Sequence, residues 1–219
     1  MPTSSRALRV TVRVVGKKTP RIVTRDFDSS DFPNLEGVPA DKFSVVLLDP
    51  PFRYSRTVGS GVAENHYATM TDKDIASLPI NTITKKNAMM FFWCSGPTLN
   101  RALALIEGWG FDFKTIAYVW VKTNKVGDPS SMGLGHYTRP GSELVLLAGK
   151  GRAAPLVKKR NNQVFLGKRR SHSEKPDEFR DLIDSLTGHD PRLEKIELFS
   201  RKTGSDSWSS WGNQIGKLG

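Results

Sequence analysis

The sequence predicts an α/β chain built on a doubly wound sheet, on three observations. Short apolar runs of strand length recur at residues 44–48, 88–94 and 143–147. Stretches with apolar residues at helical spacing stand among them, and polar or charged residues follow at the carboxyl ends of the strands. Strands buried on both faces and alternating with helices make an open, largely parallel sheet, whose ligands bind beyond the strands' carboxyl ends. A chain of 219 residues is long enough for one domain with a sizeable core, spanning residues 1–219.

Taken in order, Leu8, Val10, Val12 and Val14 alternate with Arg9, Thr11 and Arg13, the period of a half-exposed strand. Gly16 to Pro20 turn the chain back, so an amino-terminal β-hairpin is expected over about residues 7–25. The run Ser44-Val45-Val46-Leu47-Leu48 must end at Asp49-Pro50-Pro51, because neither proline has an N–H for the ladder. Asp49 therefore stands at the carboxyl end of a buried strand. Residues 53–66 are polar and glycine-bearing and read as a loop, and Thr71-Asp72-Lys73-Asp74 is a capping-box-like helix start that Pro79 closes. After the strand at 88–94, a helix from Pro97 carries Leu99, Ala102, Leu103 and Ile106 on one face and stops at Gly108. A β-rich run over 114–121 ends in Lys122-Thr123-Asn124, residues 125–142 read as a loop, and a further strand follows at 143–147. The helix that begins at Pro176 buries Phe179, Leu182, Ile183 and Leu186 before Gly188. Lys195 to Arg201 is a short strand running into a polar turn, and Trp208 and Trp211 clamp the end of the domain.

The formal charge of +11 points to a polyanionic partner. Much of the excess lies in one expected loop, about residues 150–175, with Lys158, Lys159, Arg160, Lys168, Arg169 and Arg170 around the apolar Val164-Phe165-Leu166. Such a segment can track a phosphate backbone while a ring stacks, which would make binding fall with salt; the plainer alternative is a solvated loop. The single cysteine, Cys94, excludes an internal disulfide and argues against a cysteine-based metal site, so no metal is expected. No apolar stretch is long enough to span a bilayer and no secretory signal pattern is present, so no membrane association and a cytoplasmic location are expected.

Asp49-Pro50-Pro51-Phe52 suits one kind of chemistry. The exocyclic amine of adenine is a poor nucleophile because its lone pair is delocalised into the ring. A carboxylate and a rigid carbonyl, each accepting one amine hydrogen, would localise that pair and aim it, and Phe52 would stack on the base. The plainer alternative is a strand followed by a stiff turn.

Asp49-Pro50-Pro51-Phe52, Tyr67-Ala68-Thr69-Met70, Phe92-Trp93, Trp109-Gly110-Phe111, Trp120-Val121-Lys122-Thr123-Asn124, Lys175-Pro176-Asp177-Glu178, Glu197-Leu198-Phe199 with Arg201, and Trp211-Gly212-Asn213-Gln214 come in one order. That series resembles the MT-A-seventy family of adenine N6-methyltransferases, which includes the catalytic subunit of the eukaryotic messenger-RNA methyltransferase and bacterial and phage DNA enzymes. It covers roughly residues 24–215. The resemblance implies a Rossmann-like class I fold dependent on S-adenosylmethionine, with permuted motif order: the cofactor strand follows the catalytic one. It implies Asp49, Pro50, Pro51 and Phe52 as catalytic, with Phe52 where the family usually has Trp. For the cofactor it implies Asp26, Phe27, Asp49, Lys175, Glu197, Arg201, Asn213 and Gln214, while Lys202, Thr203 and Gly204 depart from the eukaryotic His-Asn. Tyr67, Lys122, Lys158, Lys159, Arg160, Lys168, Arg169 and Arg170 are the substrate candidates. The expected partner is nucleic acid in a bacterial or phage-infected cell, DNA favoured over RNA because long extensions and zinc fingers are lacking. RNA methylation, cytosine N4 methylation and a non-catalytic binding subunit are the alternatives, and a homodimer or a partner subunit both stay open.

Overall fold

Among the described residues nine strands form one mixed sheet. The computed structural model describes residues 8–16, 19–27, 35, 37–53, 69–130, 137–170, 174–212 and 215. In chain order the strands are β1 (Leu8–Gly16), β2 (Thr19–Phe27), β3 (Phe43–Leu48), β4 (Thr84–Cys94), β5 (Asp112–Thr123), β6 (Ser142–Lys150), β7 (Val164–Lys168), β8 (Lys195–Leu198) and β9 (Trp208–Gly212). They lie in the order β2-β1-β9-β8-β3-β4-β6-β5-β7. β3 is flanked by parallel β4 and β8, and β9 runs parallel to β8. β6 is antiparallel to both β4 and β5, and β7 is parallel to β5. β1 pairs antiparallel with β2 and with β9. The carboxyl ends of β2, β3, β4, β5, β7, β8 and β9 therefore share one edge of the sheet, joined there by the starts of β1 and β6.

β3 sits in the middle because both of its faces are apolar, and all six of its residues are buried. The period of two divides them. Val46 and Leu48 pack with Met90, Phe92 and, from α3 (Leu99–Gly108), Ala102, Leu105 and Ile106. Val45 and Leu47 pack with Met89, Phe91, Trp93 and, from α4 (Glu178–Leu186), Phe179 and Ile183. Helices thus cover both faces of a Rossmann-like sheet, as the alternation of strand and helix patterns predicts. Two short helices, α1 (Asp72–Ala76) and α2 (Ile80–Ile83), join α3 on its face. α1 begins at the capping box read from the sequence: Asp74 N–H donates to Thr71 Oγ1 at 3.2 Å and Thr71 N–H to Asp74 Oδ2 at 3.1 Å.

The basic stretch expected as one loop over 150–175 is not one loop. It starts inside β6, makes a 3-10 turn at Ala154–Leu156, and supplies β7. The apolar Val164-Phe165-Leu166 is a strand because Phe165 turns inward onto Phe179, 5.1 Å between ring centroids, while Val164 and Leu166 face outward.

Gly212, the last residue of β9, is pressed against the turn that follows β8. A Cβ there would come within 2.4 Å of Ser200 O and 2.8 Å of Ser200 N, and these backbone atoms cannot swing away. Gly212→Ala is expected to destabilise the fold by about 1–3 kcal/mol. Gly108→Ala, where nothing lies within 4 Å of the added carbon, is the control and should stabilise by about 0.5–1 kcal/mol; denaturant midpoints of the two variants decide it.

Candidate active site

β3 delivers Asp49 to the shared edge, and the two prolines stiffen the backbone beyond it. Phe52 N–H donates to Pro50 O at 2.8 Å, a three-residue turn that holds this carbonyl. Met70 N–H donates to Pro51 O at 2.8 Å and Arg53 N–H to Met70 O at 3.0 Å. That bridge turns Phe52 away from the cleft. Its ring is 5% exposed, 6.1 Å from the Phe92 centroid, with the Arg101 guanidinium 4.5 Å from its own. The expected base-stacking role of Phe52 does not fit this arrangement, because the ring is spent on the core.

A chain of alternating charges surrounds Asp49. Lys175, from the segment leading into α4, donates to Asp49 Oδ2 at 2.7 Å and lies 3.3 Å from Glu143 Oε2. Glu143, on β6, accepts at Oε1 from Lys122 of β5 at 2.6 Å. The Lys175 ammonium also lies 5.4 Å from the centroid of Trp93. Burial pushes the Asp49 carboxyl above its ordinary range, and Lys175 opposes that shift. Burial works the same way on Glu143, but Lys175 and Lys122 outweigh it and hold its pKa below the usual value. Lys175 in turn is raised: burial would lower it, and Asp49 and Glu143 more than compensate. Neighbouring Cys94 is buried, and its thiol is pushed up to about 12 by burial and then by Glu143 and Asp49, which makes it unreactive.

β8 ends beside β3, and a cleft opens between their ends and the start of α4. Asp49, Lys175, Arg180, Glu197, Arg201 and Lys202 line it. Arg180 of α4 ties the wall together. It donates from Nε to Glu197 at 2.5 Å, to Ser200 Oγ at 3.1 Å, to Ser210 Oγ at 2.8 Å and to Thr203 O at 3.2 Å. Burial raises the Glu197 carboxyl and Arg180 pulls it back. Lys202 bonds to Asp177, and its amine is pushed down to about 8 by burial and then by the Arg170 cation.

The structure brings together Asp49, Pro50, Lys122, Lys175, Glu197 and Arg201, and separates others from them. Asp26 and Phe27 end β2 opposite Arg9 and Leu8, four strand positions from β3. That is on the order of 19 Å from β3 across the sheet at the usual spacing. Lys158, Lys159 and Arg160 sit at the other end of the sheet, where Leu186 O, at the close of α4, accepts from the N–H groups of Lys158 and Lys159. The expectation that they contact substrate beside Asp49 fails because β6 and the 3-10 turn carry the chain away from the site before β7 returns it. Lys168 is at the site end of β7, paired with Thr123, and Arg169 N–H donates to Thr123 O at 3.3 Å. Arg170 faces Glu174, Asp177 and Glu178 at 3.0–3.7 Å, so its charge is already answered. Tyr67, Asn213 and Gln214 lie outside the described residues. Glu143 and Arg180 were not singled out by sequence reasoning; the only signal for Glu143 was an acid at the start of a strand.

A Rossmann-like sheet whose parallel β3 and β8 end side by side at a charged cleft has the layout of an α/β enzyme that binds its ligands beyond the strands' carboxyl ends. Residues 43–214 match the family model MT-A70, and the chain belongs to that family of methyltransferases. It is similar to the type II methyltransferase M.MunI of Mycoplasma sp, 33% identical over 203 residues, 84% of this chain and 81% of that protein. It is also similar to the N(6)-adenosine-methyltransferase subunit METTL3 of Danio rerio, at 31% identity over 176 residues, and to the catalytic subunit METTL3 of Homo sapiens, at 30%. In both cases the match takes in 80% of this chain but only 28% of the relative's length.

Proposed function

We propose that the chain transfers a methyl group from S-adenosylmethionine to the exocyclic N6 amine of adenine in DNA. The observation that carries this reading is the Asp49–Lys175 pair, 2.7 Å, at the rigid end of β3. Lys175 occupies one carboxylate oxygen and leaves the other to accept an amine hydrogen. The Pro50 carbonyl, with one lone pair taken by Phe52 N–H, has a second to offer. Together they localise the amine's lone pair in the direction of attack. Asp49, with its pKa raised by burial, is also the nearest acceptor for the proton that the amine sheds.

The donor set of the cleft fits S-adenosylmethionine, which supplies the electrophilic methyl group. Glu197 is an acceptor for hydroxyls, and Lys175 has a third N–H, beyond those aimed at Asp49 and Glu143, for a carboxylate. Arg201 and Lys202 add positive charge at the same wall. Among the described residues no cluster of metal-ligating side chains occurs, and the proposed transfer needs none. Lys168 and Arg169, at the site end of β7, are the basic residues placed to meet phosphates of the substrate.

DNA is favoured by similarity to the type II methyltransferase, which this chain matches over most of both lengths. Methylation of adenosine in RNA is a second reading, supported by similarity to the N(6)-adenosine-methyltransferase subunits. The test is methyl transfer from labelled S-adenosylmethionine to matched DNA and RNA oligonucleotides, single- and double-stranded, followed by nucleoside mass spectrometry. 6-Methyladenine in DNA is the expected product. Product in RNA alone overturns the substrate, and methylcytosine overturns the target atom.

A further inference from the structure

At the edge of the sheet opposite Asp49 a groove of about 440 Å³ opens between β6 and the segment after it. Its floor is apolar, with Met89, Leu147 and Val157, and its rim carries Lys158, Lys159 and Arg160. A pocket of this size with an apolar floor and a few convergent charges has the usual make-up of a binding site.

The cations are not there to close the end of α4. That task falls to backbone: the N–H groups of Lys158 and Lys159 donate to Leu186 O at 2.8 and 3.1 Å. The Lys158 ammonium turns to Pro155 O at 2.7 Å. Lys159 and Arg160 are exposed, and among the described residues no carboxylate forms a salt bridge with them. Lys114, the other cation at the groove, differs, since Asp112 lies 3.3 Å from it. The backbone ties thus fix a cationic rim, near which the Asp190 carboxylate feels Lys158 but is already engaged by Arg192 at 2.7 Å.

The groove also stands in a definite relation to the cleft. Met89 is in register with Val45, four residues before Asp49, which puts the groove on the order of 13 Å or more from that carboxylate along the strands. α4 spans the same interval, with Phe179 and Arg180 at the cleft and Leu186 at the groove.

We propose that this groove is a second contact for the nucleic acid, holding backbone phosphates of the flank on Lys158, Lys159 and Arg160 while sugar or base edge rests on the apolar floor. The inference rests on the reading of the substrate as nucleic acid. An acidic peptide has the same charge, but the groove lies along α4 from a cleft that already receives a polyanion, so one continuous strand serves both. At 3.4 Å per base pair the groove comes within reach about four to five base pairs from the target adenine.

The test uses two hairpin DNA duplexes, with about three and about fifteen base pairs on either side of the adenine, against the wild-type chain and Lys158→Gln, Lys159→Gln, Arg160→Gln combined. Each neutralised phosphate contributes about 0.9 to the slope of log K against log salt. On the long duplex the variant's slope should be shallower by about 2–3, while on the short one the two proteins should share one slope. An unchanged slope on the long duplex overturns the proposal, and so does an equal loss on both, which would mean a general field rather than a distal contact. Lys159→Glu alone, a single exposed change, repeats the comparison if the triple variant folds poorly. Formation of 6-methyladenine by the wild type on the short duplex is read alongside. Its absence overturns the adenine reading, while the slopes still decide the groove.

Discussion

Asp49→Ala is expected to abolish measurable methyl transfer, a loss of about 10³-fold or more, since it removes the charge that polarises the amine. Affinity for S-adenosylhomocysteine should fall far less than the rate, because Asp49 is only one of several residues that line the cleft. The fold should survive, because Lys175 keeps Glu143 as its partner, 3.3 Å away. Asp49→Asn separates the two things that this side chain offers. It keeps a hydrogen-bond acceptor and loses the negative charge, so it should recover part of the activity lost in the alanine variant. Isothermal titration for the cofactor product and single-turnover rates for methyl transfer decide the matter. Full activity in Asp49→Ala would remove the central residue from the proposal.

Lys175→Met is expected to have the next largest effect, and on two quantities at once. In the native chain burial raises Asp49 and Lys175 opposes it, so removing the ammonium lets the carboxyl rise further. Asp49 acts as an acceptor only when ionised. The acid limb of the pH–rate profile should therefore move to higher pH, with activity falling away nearer neutrality as pH decreases. The substitution also leaves Asp49 and Glu143 near one another without their shared cation; because the Asp49 side chain is 36% exposed and partly screened, this should cost about 1–2 kcal/mol of stability, less than for a fully buried pair. A rate loss with an unshifted acid limb would mean that Lys175 binds cofactor or substrate and does not tune Asp49. Lys175→Arg, which restores a cation, should return the limb most of the way.

Much of the framework was legible because local chemistry dictated it. Prolines 50 and 51 had to end β3, and Thr71 with Asp74 had to open a helix whatever the surroundings. Lys175 and Glu197 were singled out by the motifs that resemble the family, not by local chemistry alone. What was hidden depended on which strands become neighbours. Glu143 matters because β6 lies antiparallel between β4 and β5, which carries the start of β6 to the site edge. Nothing within a few residues of Glu143 encodes that. Arg180 reads as an exposed helix position, and only the return of β8 and β9 gives it Glu197 and Ser210. The basic residues between 150 and 175 look like one cluster because sequence distance is short, yet β7 is long enough to deliver Lys168 to one end of the sheet while Lys158 stays at the other. Phe52 carries the same lesson at closer range: a ring next to a catalytic turn has no fixed direction until the bridge to Met70 sets it.

The alternation Asp49, Lys175, Glu143, Lys122 has a kinetic consequence. Two negative and two positive charges cancel, so beyond a Debye length of about 8 Å the chain projects almost no field. Strong as it is for a bound amine, it neither draws a polyanion in nor repels one. Rates of encounter must then be set by cations elsewhere on the surface. Substitutions within the alternating chain should alter turnover and leave the association rate constant as it was, while changes among the outer lysines and arginines should do the reverse.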